Sequence, residues 1–199
     1  MLLSGLSMAT AAPMTKHPRL LSRLALAVVA LILITTSASS AQTITPKPLP
    51  EPVQSKAPGI RPLGRGRQTV WGVRVYDATL WVVGDRFTPA QPHAIDVEAG
   101  RSVSADTLID HAMSEMRRLN LGDQSQLASW RLEIVRLIPN LKSGDQVVVF
   151  CPSEAKTVAY YNGRVLGEVD DATLCPAIMN VWLHPASHNQ VLRKSLLAH

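Results

Sequence analysis

Trp71-Gly72-Val73-Arg74-Val75-Tyr76-Asp77-Ala78-Thr79-Leu80-Trp81, preceded by Arg65-Gly66-Arg67, reads as two strands lined with aromatic and β-branched side chains. A glycine-and-arginine turn leads into them. The spacing predicts strands over 69–76 and 78–83, with Asp77 fixing the turn between them. Outward from this pair, 94–98 alternates as a third strand after a turn region with Pro89 and Pro92. Ser104 then opens a helix whose Leu108, Ile109, Ala112, Met113, Met116 and Leu119 recur at helical spacing; Asn120 and Gly122 stop it. Asp123 with Gln126 matches a capping box, and Leu127, Trp130, Ile134, Leu137 and Ile138 form the stripe of a second helix that Pro139 ends.

Lys142-Ser143-Gly144-Asp145 is a turn, and 146–151 is a strand of buried type. Strands over 157–161 and 164–169 are joined by Asn162-Gly163, a dipeptide suited to the positive φ of a tight hairpin. Asp170 or Asp171 caps the next helix, with Ala177, Ile178, Val181 and Trp182 as its stripe and Pro185 as its end. A last helix covers about 189–197. Two antiparallel groups separated by helices predict an α+β fold with helices over a sheet and a cleft between them.

Before the hairpin the chain is of another character. Leu24-Ala25-Leu26-Ala27-Val28-Val29-Ala30-Leu31-Ile32-Leu33-Ile34 follows Lys16, His17, Arg19 and Arg23 and precedes a small-residue run ending at Ala41. A basic region, a short apolar region and a small-x-small end predict a signal peptide over 1–41, hence a periplasmic or secreted protein. An uncleaved anchor is the alternative, and the only membrane association expected. The apolar run is well short of the roughly 20 residues that a spanning helix needs. Pro46, Pro48, Pro50, Pro52, Pro58 and Pro62 predict an extended, solvated linker over 42–62, leaving 63–199 as one folded domain. Three of the 20 basic residues and none of the 15 acidic ones fall in the signal, so the remainder carries only about +2. That balance excludes a broad basic face for nucleic acid.

Cys151 and Cys175 are the two cysteines. In an oxidising compartment they read first as a disulfide, with two buried thiols that never meet as the alternative. There is no phosphate-binding glycine loop, no CxxC pair and no nucleophile elbow, so no cofactor is expected. His184 and His188 are separated by Pro185, which leaves no helical metal pair, and no metal is expected. Trp71, Trp81, Trp130 and Trp182 read as core.

Taken in order, Gly66-Arg67, Val73-Arg74-Val75-Tyr76-Asp77-Ala78, the 113–119 helix end, Leu141-Lys142-Ser143-Gly144-Asp145, Tyr161-Asn162-Gly163-Arg164 and Gly167-Glu168-Val169-Asp170-Asp171 resemble the exported bacterial branch of the chalcone isomerase-like family. The resemblance implies an open-faced β-sandwich, an antiparallel sheet covered by helices, with a cleft for a flat or long apolar molecule. Fatty acids are the ligand class of one non-catalytic branch. The resemblance also implies that Arg67 occupies the place of the plant enzymes' oxyanion-binding arginine, a role that suits a planar, permanent cation. The plant positions for a water-binding Thr, a Tyr, an Asn and a late Thr fall on or near Tyr76, Ser104, His111 and Val181, so the plant catalytic Tyr and Asn are not matched.

Three readings follow. The first is a binding module for a small apolar or amphipathic carboxylate, with Arg67 and Tyr76 as ligand contacts. The second is an isomerase or intramolecular lyase on an enone-like substrate, with Arg67, Tyr76 and His111 as catalytic groups. The third is an envelope module for a protein partner. Read without the resemblance, Arg67 is a solvated turn arginine, Tyr76 a core tyrosine and His111 a structural histidine beside an apolar stripe.

Overall fold

A computed structural model describes residues 45–153 and 155–199. The element order is α1 (Glu51–Lys56), β1 (Ile60–Val70), β2 (Val73–Val83), β3 (His93–Ala99), α2 (Ala105–Arg118), α3 (Gln124–Leu137), β4 (Gln146–Ser153), β5 (Lys156–Tyr161), β6 (Arg164–Asp170), α4 (Leu174–Leu183) and α5 (Gln190–Leu196). The strands form one six-stranded sheet in chain order, antiparallel throughout. The expected α+β class and helix-covered antiparallel sheet are what the chain forms. The expected signal segment, 1–41, lies outside the described residues.

The helix ends follow from side chains named in the sequence. The Ser104 hydroxyl accepts from the Thr107 amide, and Asp123 with Gln126 makes a reciprocal capping box at the start of α3. Asn162 and Gly163 take φ of 47° and 83° at the β5–β6 turn. The first hairpin differs from its reading. Its turn is Trp71-Gly72, at φ 49° and 77°; Arg65-Gly66-Arg67 lies inside β1 and Asp77 inside β2. Trp71 is almost fully solvent-exposed at the tip rather than core. Gly72 supplies the second positive φ, which suits a tight turn here, five residues before Asp77.

Alternation gives the sheet two apolar faces. Leu80, Ile95, Val147 and Val149 meet α2 to α5 through Ile109, Met116, Trp130, Ile134, Ile178 and Leu192. Trp81, Ala94, Val148, Phe150, Val158 and Tyr160 form the other face, against Leu49, Val53 and Ala57. This corrects the linker reading of 42–62 over its described part. The segment carries α1, buries Val53 completely and runs into β1 before residue 62. A face bearing Trp81, Phe150 and Tyr160 is too apolar to leave wet, and the prolines sit where they do no harm. Pro50 is the N-cap of α1, and Pro52 lies in its first turn, where no amide partner is needed.

Cys151 on β4 and Cys175 on α4 are joined in a disulfide, with Cα atoms 6.2 Å apart, which fastens α4 to the sheet. Several residues of the blocks that resemble the family hold turns together. Asp145 accepts from the Lys142 amide, the Asn162 amide group and the Tyr161 hydroxyl; these donors hold its carboxyl below the usual range. Asp171 accepts from the Trp130 indole and from Thr173, tying α3 to the start of α4.

Candidate functional site

Between the helix-side face of the sheet and α2, α3 and α4 the side chains do not fill the space. A part-open cavity of about 130 Å³ remains, walled mainly by aliphatic side chains such as Val97, Ile109, Ile134, Leu141 and Val149. An apolar void of this order, roughly 150 Å³, stays dry and accepts benzene in a well-characterised engineered case. Among the described residues only four polar side chains reach it: Tyr76, His111, Thr157 and Trp182.

Three of the four gather at one end. The Trp182 indole donates to the Tyr76 hydroxyl at 3.1 Å, so the phenolic hydrogen remains available as a donor. Burial pushes the Tyr76 pKa up, outweighing the Trp182 hydrogen bond, and keeps the phenol neutral. Tyr76, His111 and Trp182 also border a second, smaller hollow of about 60 Å³ that includes Gln68, Glu115, Ser187 and Asn189. This vestibule is polar where the cavity is apolar. Asn189 donates to Gln68 at 2.5 Å, and Glu115 is held by Arg118 and the His188 amide, which keep its carboxyl low despite burial. The Ser187 hydroxyl is buried and has no hydrogen-bond partner among the described residues.

Thr157, at the start of β5, is the fourth polar group. It is 1 % exposed, and its hydroxyl too has no partner among the described residues. Tyr76 stands on β2 and Thr157 on β5. Three strand spacings, at least about 14 Å, separate them across the sheet, and the register offsets them along the strands as well.

Tyr76 and His111 are thus brought together where the two hollows meet, although no hydrogen bond joins them. Arg67 is not with them. It pairs with Asp77 across β1–β2, while Tyr76 pairs with Gln68. A one-residue step along a strand exchanges faces. A Cβ on neighbouring Gly66 would press on Leu192 of α5, so Gly66 faces the helices and Arg67 faces away from them. There Arg67 donates to both oxygens of Asp77 at 2.6 and 3.1 Å. Arg65 and Arg74 reach the same carboxylate, and both also reach Glu98. Burial opposes ionisation of Asp77, but Arg67, Arg74 and Arg65 together hold its pKa below the usual value. The placement of Arg67 in the cleft beside Tyr76 is therefore corrected: its guanidinium is committed to Asp77 on the far side of the sheet.

Gln68, Thr157, Ser187 and Trp182 are the site residues that the sequence reading missed. For Thr157 one signal was present, a lone hydroxyl opening an apolar strand; for Gln68 there was none without the register.

The profile of the chalcone isomerase-like family matches residues 42–198. The chain belongs to that family. Among solved structures, this chalcone isomerase-like protein is similar to a fatty-acid binding protein of Arabidopsis thaliana at 12 % identity and a TM-score of 0.53, over 71 % of this chain and 88 % of that one. The likeness shows the shared fold. No curated protein matches by sequence.

Proposed function

We propose that this chalcone isomerase-like chain binds a small apolar or amphipathic molecule of the fatty-acid kind, lodged in the cavity between sheet and helices with a polar end at Tyr76. The observation that carries the reading is the cavity itself: an aliphatic channel with a neutral phenol donor, an imidazole and a polar vestibule at one end. Such a pocket, apolar with a few convergent polar groups, is the usual form of a ligand site. The Arabidopsis relative of the same fold is a fatty-acid binding protein, which supports this class of ligand. A carboxylate end would meet Tyr76 and His111 rather than Arg67.

Native mass spectrometry of the purified protein, followed by organic extraction, tests it. The expected result is a stoichiometric lipid-like molecule, lost in Ala112→Trp, which places an indole in the cavity wall. A correctly folded Ala112→Trp variant that still carries the molecule would remove the cavity from consideration. We also infer export, supported by the signal-like segment and the disulfide. Cleavage after Ala41, read from the N-terminal sequence of the mature protein, is the expected outcome.

A further inference from the structure

The cavity wall holds an unexplained group. Thr157 is buried, lines the cavity, and its hydroxyl has no partner among the described residues. A buried hydroxyl left unpaired is costly, and native folds keep such groups where something completes them. Water is a poor candidate. An ordered buried water takes two to four polar partners. The cavity's other polar side chains, Tyr76, His111 and Trp182, gather elsewhere: Tyr76 is three strand spacings away, at least about 14 Å, and further offset along the strands by the register. The rest of the cavity lining, Val149, Ala159, Ile178, Leu137 and Ile138 among it, is apolar.

We propose that the ligand is polar at both ends, and that Thr157 reads the far one: an apolar chain or ring system whose distal atom carries a hydroxyl or carbonyl. This rests on the binding reading above and deepens it. The hydroxyl both donates and accepts, so either distal group suits it. A plain alkyl end would instead leave the Thr157 hydroxyl buried against methyl groups, and a site built to hydrogen-bond discriminates against an analogue that lacks the group.

The test compares a length series of saturated fatty acids, caprylic to palmitic, with their ω-hydroxy counterparts, on the full chain and on Thr157→Val and Thr157→Ser. At the best-fitting length the ω-hydroxy acid binds about tenfold more tightly than the plain acid. Thr157→Val abolishes or inverts that preference, Thr157→Ser keeps it, and the ligand-free Thr157→Val protein melts at a higher temperature because no hydrogen bond is lost. Equal affinity of both series, with Thr157→Val indifferent to the ω-hydroxyl, overturns the proposal and leaves the binding reading intact. No binding of either series to the unmodified chain, at any length, overturns both. A lower melting point of Thr157→Val, with the preference unchanged, assigns the hydroxyl to the fold and also overturns it.

Discussion

Arg67 shows how much hangs on a single position in a strand. Its guanidinium has the charge and shape for an anionic ligand, yet β1 turns it onto Asp77, a carboxylate only 2 % exposed, and brings Gln68 to the vestibule instead. Arg67→Ala should therefore lower the melting temperature by weakening the hold on Asp77, and leave ligand affinity unchanged; titration of a bound lipid probe checks the second point. Asp96 carries a pH dependence of its own. It is buried beside Gln146, Trp81 and Arg65, without a well-formed hydrogen bond, and burial raises its pKa to about 6. Its folded value exceeds its unfolded one of roughly 3.9, so the folded state holds the extra proton. The associated stability is fully present below about pH 4 and is lost as pH rises through about 6, a change of up to ~3 kcal/mol. Asp96→Asn should match the parent near pH 4 and exceed it in denaturant midpoint at pH 8. Trp71, non-glycine at φ 49° and solvent-exposed, should be replaceable by Asn with a gain of about 0.5–1 kcal/mol, read from chemical denaturation.

Among the elements, α1 is the one whose presence changes the picture of the domain. A six-residue helix has no stability of its own. It forms because Val53, Leu49 and Ala57 find Trp81, Phe150 and Tyr160 on the second face of the sheet. Val53→Ala should destabilise by about 2 kcal/mol, and Val53→Asp should expose the face and raise binding of a hydrophobic dye. Most other elements were legible beforehand, because each carries its own boundary signals: the Ser104 cap, the Asp123–Gln126 box, Pro139, Asn162-Gly163 and Pro185. The first hairpin was legible as a pair of strands but not in register. Its bulge between Gln68 and Thr69 leaves no mark in composition, and the bulge sets which of two neighbouring side chains sees the cavity.

Across the domain, the disulfide joins the fourth strand to the fourth helix and closes a loop of 24 residues in sequence separation. Reduction, or paired replacement of Cys151 and Cys175 by Ala, should lower stability by about 3 kcal/mol by freeing the unfolded chain, with a matching fall in denaturant midpoint. Because α4 also supplies Ile178, Val181 and Trp182 to the cavity, the same change should loosen ligand binding.

Period, caps and turn residues, all local, were enough to read a helix-covered antiparallel sheet and the order of its parts; Tyr76 and His111 entered the candidate site only through the family resemblance. Which face each strand presents is another matter. It depends on register and on what lies above the sheet, and both are settled by residues far away in the chain. That is why Arg67 left the cleft and Gln68 entered it. It is also why residues 49–57 became core, and why Thr157 came to stand alone at the end of an apolar channel.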